Sequence, residues 1–189
     1  MKIYVACLAS YNNGVLHGRW IDASSDVEEM QAEVDAILRE SKFPNVKVEH
    51  PDTGEMVPSA EEFAIHDFDG IPSTLGEYCG LQAIADYVEF VEECEDVAGD
   101  NAAELAKAMI DNWHSVDSAK DELENFAGIY DSFREYADDA ADEMIACHSS
   151  DGKTPQMLIN YFDYDAWARD LALEMTVLDI PGGVAVFHQ

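Results

Sequence analysis

Positive charge is what this chain has least of. Its 189 residues include 10 Lys and Arg against 40 Asp and Glu, for a formal net charge of −30 and an isoelectric point near 4.1. A deficit on that scale excludes nucleic acid and anionic membranes as direct partners, because Lys or Arg must neutralise their phosphates. Cysteine is sparse too. Cys7, Cys79, Cys94 and Cys147 lie far apart and form no C-x-x-C pair, which predicts reduced structural thiols and neither a disulfide frame nor a zinc site. No window approaches the roughly 18 uncharged apolar residues of a membrane span. The opening MKIYVACLASYNNG has no cationic stretch ahead of a long apolar run, so the expected location is the cytoplasm.

Catalytic signatures are missing as well. There is no G-x-S-x-G, no phosphate-cradling Gly loop and no dinucleotide fingerprint. His17, His50, His66, His114, His148 and His188 never fall at the i,i+4 spacing of a zinc protease. Asp163, Asp165 and Glu174 match positions 1, 3 and 12 of a calcium loop, but Trp167 and Ala168 stand where an oxygen ligand and glycine are needed. Asp67-Phe68-Asp69-Gly70 lacks the remaining ligands. The expectation is a protein with no catalytic residues, no metal and no cofactor. A carboxylate-pair hydrolase is the enzyme reading that counting leaves open, since so many acids always allow some pair, and nothing selects one.

What is present is enough apolar residue, 48%, to build a core. Lys2 to Ser10 and Val15 to Ile21 flank the turn signal Asn12-Asn13-Gly14, which predicts a β-hairpin. Ser25 and Glu28 form a capping-box pattern before a helix with Val27, Met30, Val34, Ile37 and Leu38 at helical spacing. Val46 to Glu49 and Phe63 to Phe68 would complete a small sheet, with Pro51 to Pro58 as a loop. Thr74 and Glu77 repeat the capping spacing ahead of LGEYCGLQAIADYVEFVEECEDV. There Leu81, Ile84, Val88 and Val91 share one stripe, and Asp86, Glu89, Glu92, Glu93 and Asp96 spread over another. Asp100 is the expected N-cap of the next helix, with Leu105, Ala108, Met109 and Trp113 inward. Ser132 and Glu135 cap a helix holding Phe133, Tyr136, Ala137, Ala140, Met144 and Ile145. SSDGKT reads as a loop, Thr154-Pro155 as a helix start and Asp163 as the cap of Tyr164 to Met175. Pro181-Gly182-Gly183 separates two β-like runs, Thr176 to Ile180 and Val184 to Phe187. Tyr11, Trp20, Phe90, Tyr161 and Trp167 look exposed, although packing is the commoner use of such residues. Strands at both ends with helices between predict α+β. The expected division is an N-terminal hairpin-and-helix domain (1–72), a helical middle domain (73–114) and a mixed helix-and-strand C-terminal domain (115–189).

The charge is also clustered. Between Lys47 and Lys107 there is no Lys or Arg, yet sixteen Asp and Glu lie from Glu49 to Glu104. Like charges at i,i+3 and i,i+4, such as Glu89 with Glu92 and Glu93, destabilise a helix by roughly 0.2–0.5 kcal/mol per pair. Self-repulsion on this scale opposes compactness, so a chain that keeps it while building a core is using the field itself. The candidate partner-binding residues are Asp86, Glu89, Glu92, Glu93, Asp96, Asp100 and Glu104, with a second cluster at Asp138, Asp139, Asp142 and Glu143. Duplex DNA carries one charge per roughly 1.7 Å, so the surplus corresponds to about 15 base pairs, or about 50 Å of duplex. A groove built for DNA would accept such a surface through the same Lys and Arg contacts. The bland alternative is a solvated acidic surface of the halophile kind, which does not predict clustering.

Five segments carry a resemblance: IYVACLASYNNGVLHGRWIDA (3–23), EEFAIHDFDGIP (61–72), LGEYCGLQAIADYVEF (75–90), FAGIYDSFREYADD (126–139) and YFDYDAWARDL (161–171). Together they resemble the ArdA antirestriction family, in family order and over essentially the whole chain. The hairpin string, LGEY and Gly-x-Tyr-x-Ser (Gly128 to Ser132) occur together. The resemblance implies a non-catalytic DNA mimic, encoded on mobile elements, that fills the DNA site of type I restriction-modification enzymes at their specificity and methyltransferase core. It also implies an elongated, curved homodimer of three small domains per chain, with the region from about Leu123 to Tyr136 near the dimer contact. The other binding readings are a mimic directed at a histone-like or polymerase partner, and a chaperone-like acidic binder of basic proteins.

Overall fold

A computed structural model describes residues 1–147 and 156–189. Two compact units divide the chain: residues 1–93 with 113–116, and residues 94–112 with 117–189.

In the first unit the chain enters on β1 (Lys2–Cys7), the middle strand of a three-stranded antiparallel sheet in which β2 (Gly18–Asp22) and β5 (Phe63–Asp69) flank it. Cross-strand pairs set the register. Lys2 lies opposite Asp22 with an ion pair of 3.3 Å, and Tyr4 lies opposite Trp20 with the rings edge to face at 5.6 Å. Gly18 is required at the strand end, because a Cβ there would fall 2.2 Å from the Val5 carbonyl oxygen. The expected antiparallel pair forms, but not as a tight hairpin. A short helix, α1 (Leu8–Asn12), intervenes, stopped where Asn13 and Gly14 turn the chain back onto Ser10 and Tyr11, with Gly14 at φ 75°.

Helix α2 (Val27–Arg39) buries Met30, Val34, Ile37 and Leu38, the expected stripe. Its cap is Asp26, which accepts from the amides of Glu28 and Glu29, and not Ser25. Asp26 wins because its amide is itself turned onto the Ser24 hydroxyl, which aims the carboxylate at the helix start. The expectation that Val46–Glu49 joins the main sheet is corrected. This strand, β3, pairs with β4 (Met56–Ser59) in a separate two-stranded sheet. The segment read as a loop thus supplies a strand, turned by Gly54 at φ 69° with the His50 and Glu55 backbones bonded. Phe63–Asp69 does pair with β1 as expected.

The longest helix, α3 (Gly80–Ala98), starts later than its capping pattern suggested. Gly76 and Gly80 take φ 88° and 78°, a region closed to a continuing right-handed helix, and residues Ser73–Leu75 form only a 3-10 turn. Glu77 pairs with His66 at 3.2 Å. Leu81, Ile84, Val88 and Val91 are buried, and so are Tyr87, Phe90 and Cys94. Phe90 is therefore a core residue and not an exposed aromatic.

In the second unit, α4 (Ala102–Trp113) follows a 3-10 turn, Gly99–Asn101, that contains Asp100. Ala102, Leu105, Ala106, Met109 and Ile110 are its buried residues. Helix α5 (Val116–Leu123) and strand β6 (Phe126–Tyr130) come next, neither of them foreseen. Helix α6 (Phe133–Cys147) is capped as expected, with the Glu135 amide donating to Ser132 Oγ at 3.3 Å. The Glu135 carboxylate accepts in turn from the Asp131 amide at 2.9 Å. After α7 (Gln156–Tyr161), Asp163 caps α8 (Tyr164–Leu171) by accepting from the Ala166 amide. Helix α8 ends four residues before the expected Met175. The final hairpin, β7 (Met175–Ile180) and β8 (Gly183–His188), forms as predicted, with Gly182 at φ 89° after Pro181. β8 is the middle strand between β6 and β7. Tyr136, Met175 and Val186 form a core that Phe133 and Leu171 complete. SSDGKT and Thr154-Pro155 lie outside the described residues. With helix and strand mixed in this way, the chain is α+β.

Candidate partner-binding surface

The acidic candidates sit on three helices and one turn. On α3, burial of Ile84, Tyr87, Val88, Val91 and Cys94 turns the remaining positions outward. Glu89, Glu92, Glu93, Glu95 and Asp96 are exposed, while Asp86 is half-buried and accepts from Gln82 Nε2 at 2.8 Å. Glu92 has Glu89, Glu95 and Asp96 at i−3, i+3 and i+4, the spacings that bring helical side chains together.

The disposition of charge along α3 opposes its own helix. It has no acid in its first turn and no base in its last, and its C-terminal half carries Glu92, Glu93, Glu95 and Asp96. Of these, Glu95 and Asp96 lie in the last turn, at the negative end of the helix dipole, each unfavourable by about 0.3–1 kcal/mol at low salt. Helix α2 does the reverse, with Glu28 and Glu29 at its start and Arg39 at its end. The acids of α3 therefore do not serve the helix that carries them.

Asp100 and Glu104 are exposed, one in the 3-10 turn and one in the first turn of α4. On α6, Asp139 and Glu143 are exposed and one helical turn apart. Among the described residues Glu89, Glu92, Asp96, Asp100, Glu104, Asp139 and Glu143 have no hydrogen-bond or ion-pair partner. Asp138 and Asp142 differ. Asp138 accepts from Arg134 Nε at 2.7 and 2.8 Å, and Asp142 accepts from the Tyr164 hydroxyl. That bond, ahead of desolvation, raises the Tyr164 phenol above its usual value. Hydrogen bonds to Asp138 and then Asp165 likewise hold the Arg134 guanidinium more firmly protonated.

Sequence reasoning found the acids and missed Arg134, Tyr164 and Asp165. The i,i+4 spacing of Arg134 and Asp138 was a usable signal; the approach of α8 was not.

The first unit has an open depression of about 380 Å³ that includes Tyr11, His66, Asp67 and Glu77. In it the His66 ring lies edge-on to Tyr11 at 5.0 Å. The Cys7 thiol is pushed up by burial, but the hydroxyls of Ser41 and Ser10 and the amides of Ser10 and Ala9 outweigh that and hold it below its usual value. No disulfide joins Cys7, Cys79, Cys94 or Cys147. Asp163 and Asp165, read against a calcium loop, serve as a helix cap and as a partner of Arg134. Among the described residues no group of three or more His, Cys, Asp or Glu is placed to hold a metal ion, and no helix is long and apolar enough to cross a membrane.

Comparison with curated proteins gives no match. The family described as antirestriction protein (ArdA) has a sequence model that matches residues 3–186, and the chain belongs to that family.

Proposed function

We propose that this antirestriction protein acts by presenting carboxylates in place of DNA phosphates, competing with duplex DNA for the binding groove of a type I restriction-modification enzyme. The observation that carries the reading is the acidic row of α3, in which Glu89, Glu92 and Asp96 have no hydrogen-bond or ion-pair partner among the described residues and Glu95 and Asp96 stand at the negative end of the helix dipole, in a stretch without Lys or Arg between Lys47 and Lys107. Local stability disfavours that arrangement, so a binding role is the reason to retain it. Many dispersed carboxylates would share the binding energy through the Lys and Arg side chains that otherwise release DNA counterions. The partner-facing set is Asp86, Glu89, Glu92, Glu93, Asp96, Asp100 and Glu104, with Asp139 and Glu143 of α6; Asp138 and Asp142, which the sequence pattern also offered, are engaged by Arg134 and Tyr164 within the fold. No catalytic step is assigned to the chain.

We further propose three small domains with boundaries near residues 72 and 114, and a homodimer that would extend the imitation to about 30 base pairs. The test is a restriction assay with purified type I enzyme, with a polymerase and a basic histone-like protein as comparison partners. The expected result is loss of restriction that added duplex DNA reverses, with little effect on the comparison partners. Equal binding to all three would favour a general chaperone-like acid.

A further inference from the structure

The acidic side chains of α6 fall into two rows with different surroundings. Along one row, Arg134 Nε bonds Asp138 at 2.7 Å, and the same guanidinium reaches Asp165 of α8 through Nη1. One turn on, Asp142 accepts from the hydroxyl of Tyr164, also on α8. Trp167 Nε1 donates to the Ala137 carbonyl at 2.9 Å, and the Phe162 ring packs on Tyr164 and Trp167 with centroids 4.9 and 5.9 Å away. Along the other row, Asp139 and Glu143 touch no cation or donor among the described residues.

An arginine set between carboxylates of two helices suits the planar guanidinium, whose fork of donors a lysine cannot reproduce. A phenol that donates to a carboxylate likewise fixes one ring orientation. In a chain with so few cations, Arg134 lies between two aspartates and joins α6 to α8.

We propose that Arg134 and Tyr164 are positioning residues whose clasp with Asp138, Asp142 and Asp165 fixes α8 against α6, so that Asp138 and Asp142 are fasteners while Asp139 and Glu143 face the enzyme. The clasp stands on its own geometry, and the enzyme-facing assignment rests on the DNA-mimic reading above.

Charge separates the clasp from a simple field. Arg134→Gln takes the net charge from −30 to −31, so a field alone makes the variant an equal or better inhibitor. The clasp makes it several-fold weaker, and Tyr164→Phe, which alters no charge at neutral pH, shifts inhibition the same way. Asp138→Asn and Asp142→Asn lower Tm and leave the dependence of log Kd on log salt unchanged. Asp139→Asn with Glu143→Gln does not lower Tm and makes that dependence shallower, by up to about one unit per carboxylate. The opposite pairing of effects, or an Arg134→Gln protein that inhibits better, overturns the proposal.

Two arms need no enzyme: the Tm comparison, and ring-labelled tyrosine NMR, in which Asp142→Asn lowers the Tyr164 titration midpoint. If the wild-type chain binds no restriction enzyme, the mimic reading and the enzyme-facing assignment fall. An unmoved Tyr164 midpoint removes the clasp itself.

Discussion

Aspartates in this chain take three physical roles that their identity alone does not distinguish. Asp26 caps α2, Asp142 accepts from a tyrosine, and Asp139 is exposed with no hydrogen-bond or ion-pair partner among the described residues. Asp26→Ala removes an acceptor from two helix amides, about 1 kcal/mol. Thermal unfolding should show it as a fall in Tm of about 2–4 °C with inhibition intact. Tyr164 gives a pH signature. The bond to Asp142 raises its folded pKa above the ordinary 10.0, so its contribution is fully present below that pH and is lost as pH rises through the folded value. Denaturant titrations across the alkaline range should show a loss of stability above about pH 10 that is smaller in Tyr164→Phe. At Gly183 an added Cβ would meet the Tyr130 carbonyl oxygen at 2.2 Å. Because that obstacle is backbone, Gly183→Ala should force β6 and β8 apart and cost at least the roughly 1–3 kcal/mol typical of overpacking.

At the scale of elements, α2 and α3 differ in what their charges do. The charges of α2 follow its dipole, whereas those of α3 oppose it and repel one another. Glu92→Gln removes like-charge contacts with Glu89, Glu95 and Asp96, at roughly 0.2–0.5 kcal/mol each. The variant should therefore unfold at a higher temperature than the wild type in low salt. The difference should disappear near 1 M salt, where screening shortens to about 3 Å.

The amphipathic helices were legible because burial of Met30, Val34, Ile84 and Val88 imposes a period that sequence displays directly. The Pro181-Gly182 turn was legible because few other residues adopt its backbone. What escaped depended on partners distant in sequence. β4 was hidden by Pro58, which usually marks a loop yet sits on a strand paired on one side only. β6 was hidden because Phe126–Tyr130 pairs with β8, far along the chain. Phe90 lies among acids in sequence and in the core in space. The acids of the candidate surface could be named from sequence alone, but the separation of Asp138 and Asp142 from Asp139 and Glu143 required the position of α8.

For the whole molecule, 40 acids on 189 residues form a field that folding opposes and a cationic groove would favour. Because the proposed binding energy is distributed, no single carboxylate should dominate it. Reversal of Glu89, Glu92, Glu93 and Asp96 to Lys together should weaken binding by orders of magnitude, while each single reversal should change it only modestly. A single substitution on α3 that abolished inhibition without unfolding the protein would point to a localised contact instead. The most direct measurement is equilibrium competition between this chain and duplex DNA for a type I restriction enzyme across a salt series. Phosphate mimicry predicts mutually exclusive binding, with an affinity for the chain that falls steeply as salt rises; a ternary complex with DNA, or an affinity indifferent to salt, would contradict it.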